Sequence, residues 1–294
     1  MVHYLNSLSI TDKLYETLPD NGTSFRFAAI EANLATYTEN YAAWHWHEVM
    51  ELGYVVDGSV DCHTPRERLA LKSEEGYFVN SGILHMNRIS DGSNKGTLRV
   101  IQFDAGILSG AGTITEKFIL PVEKNTAIEC LPLPSDNPIL DDLGALFELA
   151  AGEPPAYELD VIRLLLGIWK NLYTVLEPAL QQTAPTDDTA AVRMKGMLAY
   201  IHSHCNAPMT VPEIAAAVSI SEREAYRTFR EVLNTTPTLY IQHYRVNNAA
   251  RLLRETDRPV TEISLECGFS SPNYFNGVFK AMMGMSPREF RKMR

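Results

Sequence analysis

Cysteine is scarce in this chain: four residues in 294, at Cys62, Cys130, Cys205 and Cys267, with no CxxC pair among them. That spacing excludes a disulfide framework and a zinc ribbon, and leaves buried, reduced thiols. Long apolar runs are also missing. No stretch reaches the ~18 apolar residues a membrane span needs, so no membrane contact is expected. The opening MVHYLNSLSITDKLYE lacks a basic segment followed by an apolar one. No signal peptide is therefore expected, and the expected location is cytoplasmic.

A hydrophobic share of 45% leaves ample material for a core, and the length suggests two domains. The net charge of -10 is unevenly spread. From Ala190 onward 14 Lys and Arg face 9 Asp and Glu, a balance of +5; before it 12 face 27, a balance of -15. An acidic body with a basic tail points to an anionic polymer as partner.

The composition breaks at EPALQQTAPTDDTAA (Glu177 to Ala191), rich in Pro, Thr, Gln and Asp and without apolar periodicity. A linker is expected over 179–190. Before it, ELGYVVDGSVDCHT reads as a strand, a turn at Asp57-Gly58 and a returning strand. GYFVNSGILHMNRIS and TLRVIQFD are further strand candidates, with DGSNKG as a loop. Short strands at this spacing predict a sandwich or small barrel over residues 1–135. Two helices are expected over 136–178. In the second, Val161, Leu164, Leu165, Ile168, Leu172, Val175 and Leu176 build one apolar face. That face either packs on the barrel or pairs with a second subunit.

Residues 191–294 read as all-helical, and they repeat. Glu213-Ile214 matches Glu262-Ile263 at an offset of 49, and Pro237 matches Pro287 at 50. Thr210-x-x-Glu213 and Ser221-x-x-Glu224 are capping boxes that open two consecutive helices. Ala215, Ala216 and Ala217 allow a close helix crossing. On the next helix Ala225, Phe229 and Val232 share a core face, while Arg223, Arg227 and Arg230 share another at i, i+4 and i+7. This is the helix-turn-helix plan, whose second helix enters the major groove with side chains on phosphates or guanine edges. In the second copy Thr261 is expected to cap one helix and Ser271 the next, with Pro272 at its first position. Phe275, Val278, Phe279 and Met282 form its buried side. Asn273, Asn276 and Lys280 are left facing outward, suited to adenine and phosphate. Ser286-Pro287-x-Glu289 starts a last helix carrying Arg288. A helix from Thr236 to Thr256 separates the copies by about 30 Å, against about 34 Å between neighbouring major-groove faces.

IAAAVSIS, YRTFREVLNTTPTLYIQHYRVNNAARLL and GFSSPNYFNGVFKAMMGMSPREFR together resemble the AraC-type transcription regulators, over Met194 to Arg294. Two departures stand out: Gly277 occupies a position where the family often carries Arg, and Asn234 one where Gly is common. The resemblance implies a DNA-binding transcription regulator with an effector-binding front domain; a homodimer, with 136–178 as its dimerisation segment, and RNA polymerase as a further partner are expected.

In the front, HWHEVMELGYVVDG places His45, His47 and Glu51 at alternating positions, on one face if the strand is continuous. His85 follows a later strand. HxHxxxE with Gly58, then Gly76 with His85, resembles the cupin motifs, the second degenerate at Gly82 and Asn87. The expected fold class is therefore α+β multidomain: a cupin-like β-barrel with helices, then an all-α domain of two helix-turn-helix units. His45, His47, Glu51 and His85 either hold a divalent Zn, Mn or Fe ion or contact an effector directly, a sugar by the resemblance. On the second use no cofactor is required. Trp46, beside Trp44, either stacks on such a ligand or fills the core. The alternative function is a cupin metalloenzyme whose helical tail is an accessory module.

Overall fold

The computed structural model describes residues 2–5, 8, 14–16, 19, 25–37, 40–109, 112–180, 189–233 and 235–292. The chain divides into two compact units, one holding Met1–Ile10 and Tyr15–Asp188, the other Thr11–Leu14 and Thr189–Arg294. The linker expected over 179–190 falls mainly on residues 181–188, outside the described residues. Ala179 and Leu180 close a helix and Thr189 opens one, so both ends of that expectation are helical.

The first unit is rich in strands: β1 (Val2–Leu5), β2 (Phe27–Asn33), β3 (Tyr41–His45), β4 (Met50–His63), β5 (Arg68–Lys72), β6 (Gly76–Val79), β7 (His85–Ile89) and β8 (Gly96–Phe103). A short helical passage follows, α1 (Gly112–Ile114) to α2 (Leu120–Glu123), and then β9 (Cys130–Leu133), α3 (Ile139–Gly152) and α4 (Tyr157–Leu180). β1, β2, β8, β4, β6 and β9 lie side by side in that order. The far half of β4 pairs instead with β5 and β7, and β7 with β3.

The turn expected at Asp57-Gly58 is not a turn. β4 runs straight through it for 14 residues. The register against β8 shifts between Val55 and Asp57, a bulge, and Gly58 sits at φ +87°. A Cβ there would lie 2.1 Å from the Lys95 carbonyl oxygen, so only glycine fits. The bulge bends β4 from one sheet into the other. The chain reverses later, between His63 and Arg68.

Period-2 alternation divides the side chains between two cores. Phe27, Met50, Leu52, Phe78, Ile101 and Phe103 face the helices, where Val161, Leu165, Ile168 and Leu172 of α4 meet them. The apolar face of α4 is thus spent on the sheet, while Val175, expected on that face, is exposed. Ala28, Ile30, Val55, Tyr77, Val79, Leu98 and Val100 point the other way, into the space between the sheets. Glu51 and Gln102 share that inward parity.

The second unit comprises α5 (Thr189–His204), α6 (Val211–Ala217), α7 (Glu222–Leu233), α8 (Pro237–Glu255), α9 (Val260–Glu266), α10 (Pro272–Met283) and α11 (Pro287–Arg291). The caps at Thr210, Thr236, Ser271 and Ser286 form as expected. The Ser221 hydroxyl accepts from the Glu224 amide at 3.2 Å, but the Glu224 carboxylate turns to Arg193 at 3.2 Å. Thr261 does not cap: α9 already begins at Val260 behind Pro259. Ala216 and Ala217 are exposed, so the close crossing of α6 falls to Val211, Ile214 and Ala215. Phe275, Phe279 and Phe290 pack edge-to-face at 5.3 and 5.5 Å and join Val246, Ala249 and Ile263.

His202 of α5 is buried, stacked 3.8 Å from Tyr244, with Nε2 2.9 Å from the Tyr240 hydroxyl. Burial pushes its pKa from 6.5 down to about 3. The fold therefore holds it neutral, while the unfolded chain takes up a proton below pH 6.5. Its contribution to stability should be complete above pH 6.5 and fall as the pH drops from 6.5 towards 3. Denaturant unfolding followed by circular dichroism should show this loss, and His202→Gln should remove that part of the pH dependence.

Candidate functional site

Two cross-strand pairs assemble a buried polar cluster in the first unit. His45 sits opposite His85 in the β3–β7 ladder, and Glu51 opposite Gln102 in the β4–β8 ladder. His47 arrives differently. The continuous strand expected over HWHEVME is broken, since β3 stops at His45 and β4 starts at Met50. In the bend, the His47 Nδ1–H donates to the Val49 carbonyl at 2.9 Å, which turns its Nε2 onto Glu51 Oε2 at 3.1 Å. All four residues are buried, with one donor atom of each within 4.8 Å of the others. The structure thus brings together every residue of the expected quartet.

The tautomers follow from the partners. His45 Nδ1 lies 2.7 Å from the Ala43 carbonyl and His85 Nδ1 2.9 Å from the Ile83 carbonyl, as His47 Nδ1 does from Val49. A carbonyl only accepts, so each Nδ1 carries a proton, and in its neutral form each ring turns a lone pair on Nε2 inward. These lone pairs meet the Glu51 carboxylate, also an acceptor. His47 Nε2 to Oε2 is 3.1 Å and His85 Nε2 to Oε1 is 3.7 Å. His85 Nε2 makes no hydrogen bond among the described residues. Acceptors converging on acceptors need a proton or a cation between them. Ligand atoms on one metal at about 2.0–2.2 Å stand about 3–3.5 Å apart, close to the spacings here, so the quartet fits a divalent ion.

Other side chains complete the network. The Tyr77 hydroxyl donates to Glu51 Oε1 at 2.7 Å and accepts from Asn87 Nδ2 at 3.1 Å. Gln102 Nε2 donates to Glu51 Oε2 and to Glu16 Oε2, each at 3.0 Å. Glu16 comes from a segment held by the Glu16 N–H donating to the Trp46 carbonyl at 3.0 Å and by Tyr15 edge-on to Trp46 at 4.9 Å. Trp46 therefore faces Tyr15 and does not line the cavity; Trp44 is buried in the core. Sequence reasoning passed over Glu16, Tyr77 and Gln102. Only the inward parity of Tyr77 and Gln102 signalled them.

Burial acts on every titratable group here. It pushes the His45 pKa well below 6.5, helped by the His85 and His47 charges. It also acts to lower His47, but the Glu51 hydrogen bond and the charges of Glu51 and Glu16 outweigh it and leave His47 raised. Burial acts to raise Glu51, yet the His85 charge and the His47 bond hold its carboxyl well below the usual range. Glu16 is raised, by burial first. A cavity of about 30 Å³ adjoins the cluster, lined by Glu16, His45, Glu51, Asn87 and Gln102 at one end and by Leu5, Leu8, Ile30, Leu34, Leu98 and Val100 elsewhere.

In the second unit, Arg223, Arg227 and Arg230 are exposed on α7, as are Asn273, Asn276 and Lys280 on α10 and Arg288 on α11. Among the described residues Arg223, Arg230, Lys280 and Arg288 have no ion-pair partner. Arg227 is paired within its own helix to Glu224 and, at 3.8 Å, to Glu231. Gly277 is exposed with nothing near its would-be Cβ, so an outward contact is simply missing there. Two outward tyrosines went unnoticed in the sequence, Tyr226 on α7 and Tyr274 on α10, the latter accepting from Gln242 Nε2 at 2.6 Å.

A family model described as an AraC-like ligand binding domain matches residues 27–167, and one described as a helix-turn-helix domain matches 214–293. The chain is 27% identical over 293 residues to the helix-turn-helix-type transcriptional regulator YdeC of Bacillus subtilis, covering 98% of this chain and 99% of that protein. It is 38% identical over 87 residues to the transcriptional regulator ArgR of Pseudomonas aeruginosa, covering 30% of this chain and 26% of that one. Among solved structures, ToxT of Vibrio cholerae aligns at 14% identity with a TM-score of 0.47, covering 91% of this chain and 98% of that one.

Replacing Gln102 by Ala removes the one amide that serves both buried carboxylates. Urea unfolding should show the first unit destabilised by about 1–3 kcal/mol. An unchanged midpoint would mean that water replaces the amide.

Proposed function

This chain belongs to the AraC-type transcription regulators, and from that we propose that it binds duplex DNA through α7 and α10 in response to a ligand held by its first unit. The observation that carries this reading is the pair of capped helix-turn-helix units whose second helices present unpaired cations, Arg223 and Arg230 on α7 and Lys280 on α10. Such groups reach phosphates and base edges when the helix lies in the major groove. α8, with 19 residues, is about 28 Å long and separates the two units by close to one turn of duplex. Arg227 joins the interface only by leaving Glu224 and Glu231, so its share is smaller than that of Arg223 or Arg230.

The ligand reading rests on the buried quartet. We take His45, His47, Glu51 and His85 as holders of a divalent ion, because three imidazole Nε2 atoms and a carboxylate converge within 4.8 Å, with each Nδ1 turned to a backbone carbonyl. When bound, the ion would supply positive charge to that cluster. Gln102 and Tyr77 orient the Glu51 carboxylate, and the three backbone carbonyls orient the rings. A sugar is not favoured. The cavity holds about 30 Å³, its far walls are aliphatic, and neither Trp44 nor Trp46 lines it. The cupin metalloenzyme reading is weaker than the regulator reading, because the second unit is a DNA-binding module rather than an accessory. The protein would act in the cytoplasm, and no described helix is long and apolar enough to cross a membrane. Pairing of two copies across the outer side of α4, where Leu159 and Leu166 are exposed, and contact with RNA polymerase complete the proposal.

Fluorescence anisotropy of the full chain with duplex DNA across a salt series tests the DNA half. A steep negative slope of log K against log salt is expected, and Arg223→Ala and Arg230→Ala should each flatten it by about 0.9 and cost about 1–3 kcal/mol. Absent or salt-independent binding would overturn the reading. For the ligand half, a chelator should lower the melting temperature of the first unit, and Mn(II), Fe(II) or Zn(II) should restore it.

A further inference from the structure

Glu16 is 4% exposed and its carboxylate adjoins the cluster on the His45 side, next to the four residues whose donor atoms lie within 4.8 Å of one another. Its Oε2 stands 3.5 Å from His45 Nε2, a spacing close to that of neighbouring ligands on one metal. It stands 3.0 Å from Gln102 Nε2, the nitrogen that also holds Glu51 Oε2 at 3.0 Å. One amide thus gathers two buried carboxylates on the side where the imidazole lone pairs converge. No Lys or Arg among the described residues pairs with Glu16.

We infer that Glu16 is a fifth ligand of the metal centre. Three imidazole nitrogens and two carboxylates make a five-donor set whose charge one divalent ion cancels. Structural zinc is satisfied by four donors, whereas Mn(II) and Fe(II) accept six and favour carboxylate oxygen. The centre therefore selects an ion of the Mn(II) and Fe(II) class. The adjoining cavity leaves room for a water-sized sixth ligand. The fifth ligand also ties the segment at Tyr15 and Glu16, docked on Trp46, to metal occupancy.

This inference rests on the metal reading of the quartet, and the test separates the two. The full-length chain is stripped with chelator and titrated with Mn(II), and separately loaded with Co(II), whose visible bands strengthen as the donor number falls from six to four. The wild-type Co(II) protein should show weak bands, and Glu16→Ala should strengthen them as one donor is lost. The same variant should lose Mn(II) affinity by about 10–100-fold, as losing a site residue commonly does. Glu16→Asp, which keeps the carboxylate, should recover part of it. Circular dichroism of the metal-free variant checks that it folds. Unchanged Mn(II) affinity and an unchanged Co(II) spectrum in Glu16→Ala, alongside loss of metal in Glu51→Ala, would overturn the fifth ligand and leave the quartet standing. Failure of the wild-type chain to bind Mn(II), Fe(II), Zn(II) or Co(II) would overturn both.

Discussion

A carboxylate buried between two sheets must be answered, and the first unit is organised around answering Glu51. Its residue is 2% exposed, and burial alone would drive it to take a proton. Instead it collects the Tyr77 hydroxyl, the Gln102 amide and the His47 ring. Each partner comes from a different strand or bend, so the sheets must hold their register for the charge to be tolerated. A slip of one residue in β8 would turn Gln102 toward the helices and leave the carboxylate short of a donor. The bulge at Gly58 belongs to the same constraint: it lets one strand serve both sheets, so that the β4–β8 ladder and the β7 ladder bearing His85 share a framework.

The second unit is built on the opposite economy. Its cores are mainly apolar, with phenylalanines and aliphatics drawn from consecutive helices, and most of its polar chemistry, His202 aside, sits at helix starts and on the outside. Capping boxes at Thr210 and Ser286 satisfy amides that the helices cannot, each holding a Glu carboxyl below its ordinary range through the Thr or Ser hydrogen bond. Short helices need those caps, because α6 and α11 have few internal hydrogen bonds to spare. Arg223, Arg230, Lys280 and Arg288 then remain outside without an ion-pair partner among the described residues, whereas Arg193, Arg227 and Arg258 are paired with glutamates.

The two halves answer charge in different ways, and that division suits a sensor joined to a reader. In the first unit negative charge is concentrated where water cannot reach it, which raises the affinity for a cation. In the second, positive charge is displayed where solvent screens it, which makes attraction to DNA depend on salt. A ligand changes DNA engagement only if it binds two states of the protein unequally. The proposed metal centre, completed by a residue from outside the sheets, would offer such an inequality, since Glu16 would contribute only when its segment is docked.

The sequence by itself determined the local features. The repeat, the Ser and Thr caps, the arginine face of α7 and the aromatic core of α10 are set within a turn or two of chain, where spacing alone decides neighbours. The His45, His47, Glu51 and His85 quartet was likewise readable, although through a bend rather than the continuous strand its alternation implied. Only the tertiary structure decided the rest. Asp57-Gly58 resembles a hairpin turn in isolation, and strand pairing with β8 converts it to a bulge. The apolar face of α4 suits a sheet or a partner equally well, until Phe27, Met50 and Phe103 cover it. Glu16 and Gln102 lie 86 residues apart, and no local pattern links them; a shared amide in a buried, low-dielectric space does.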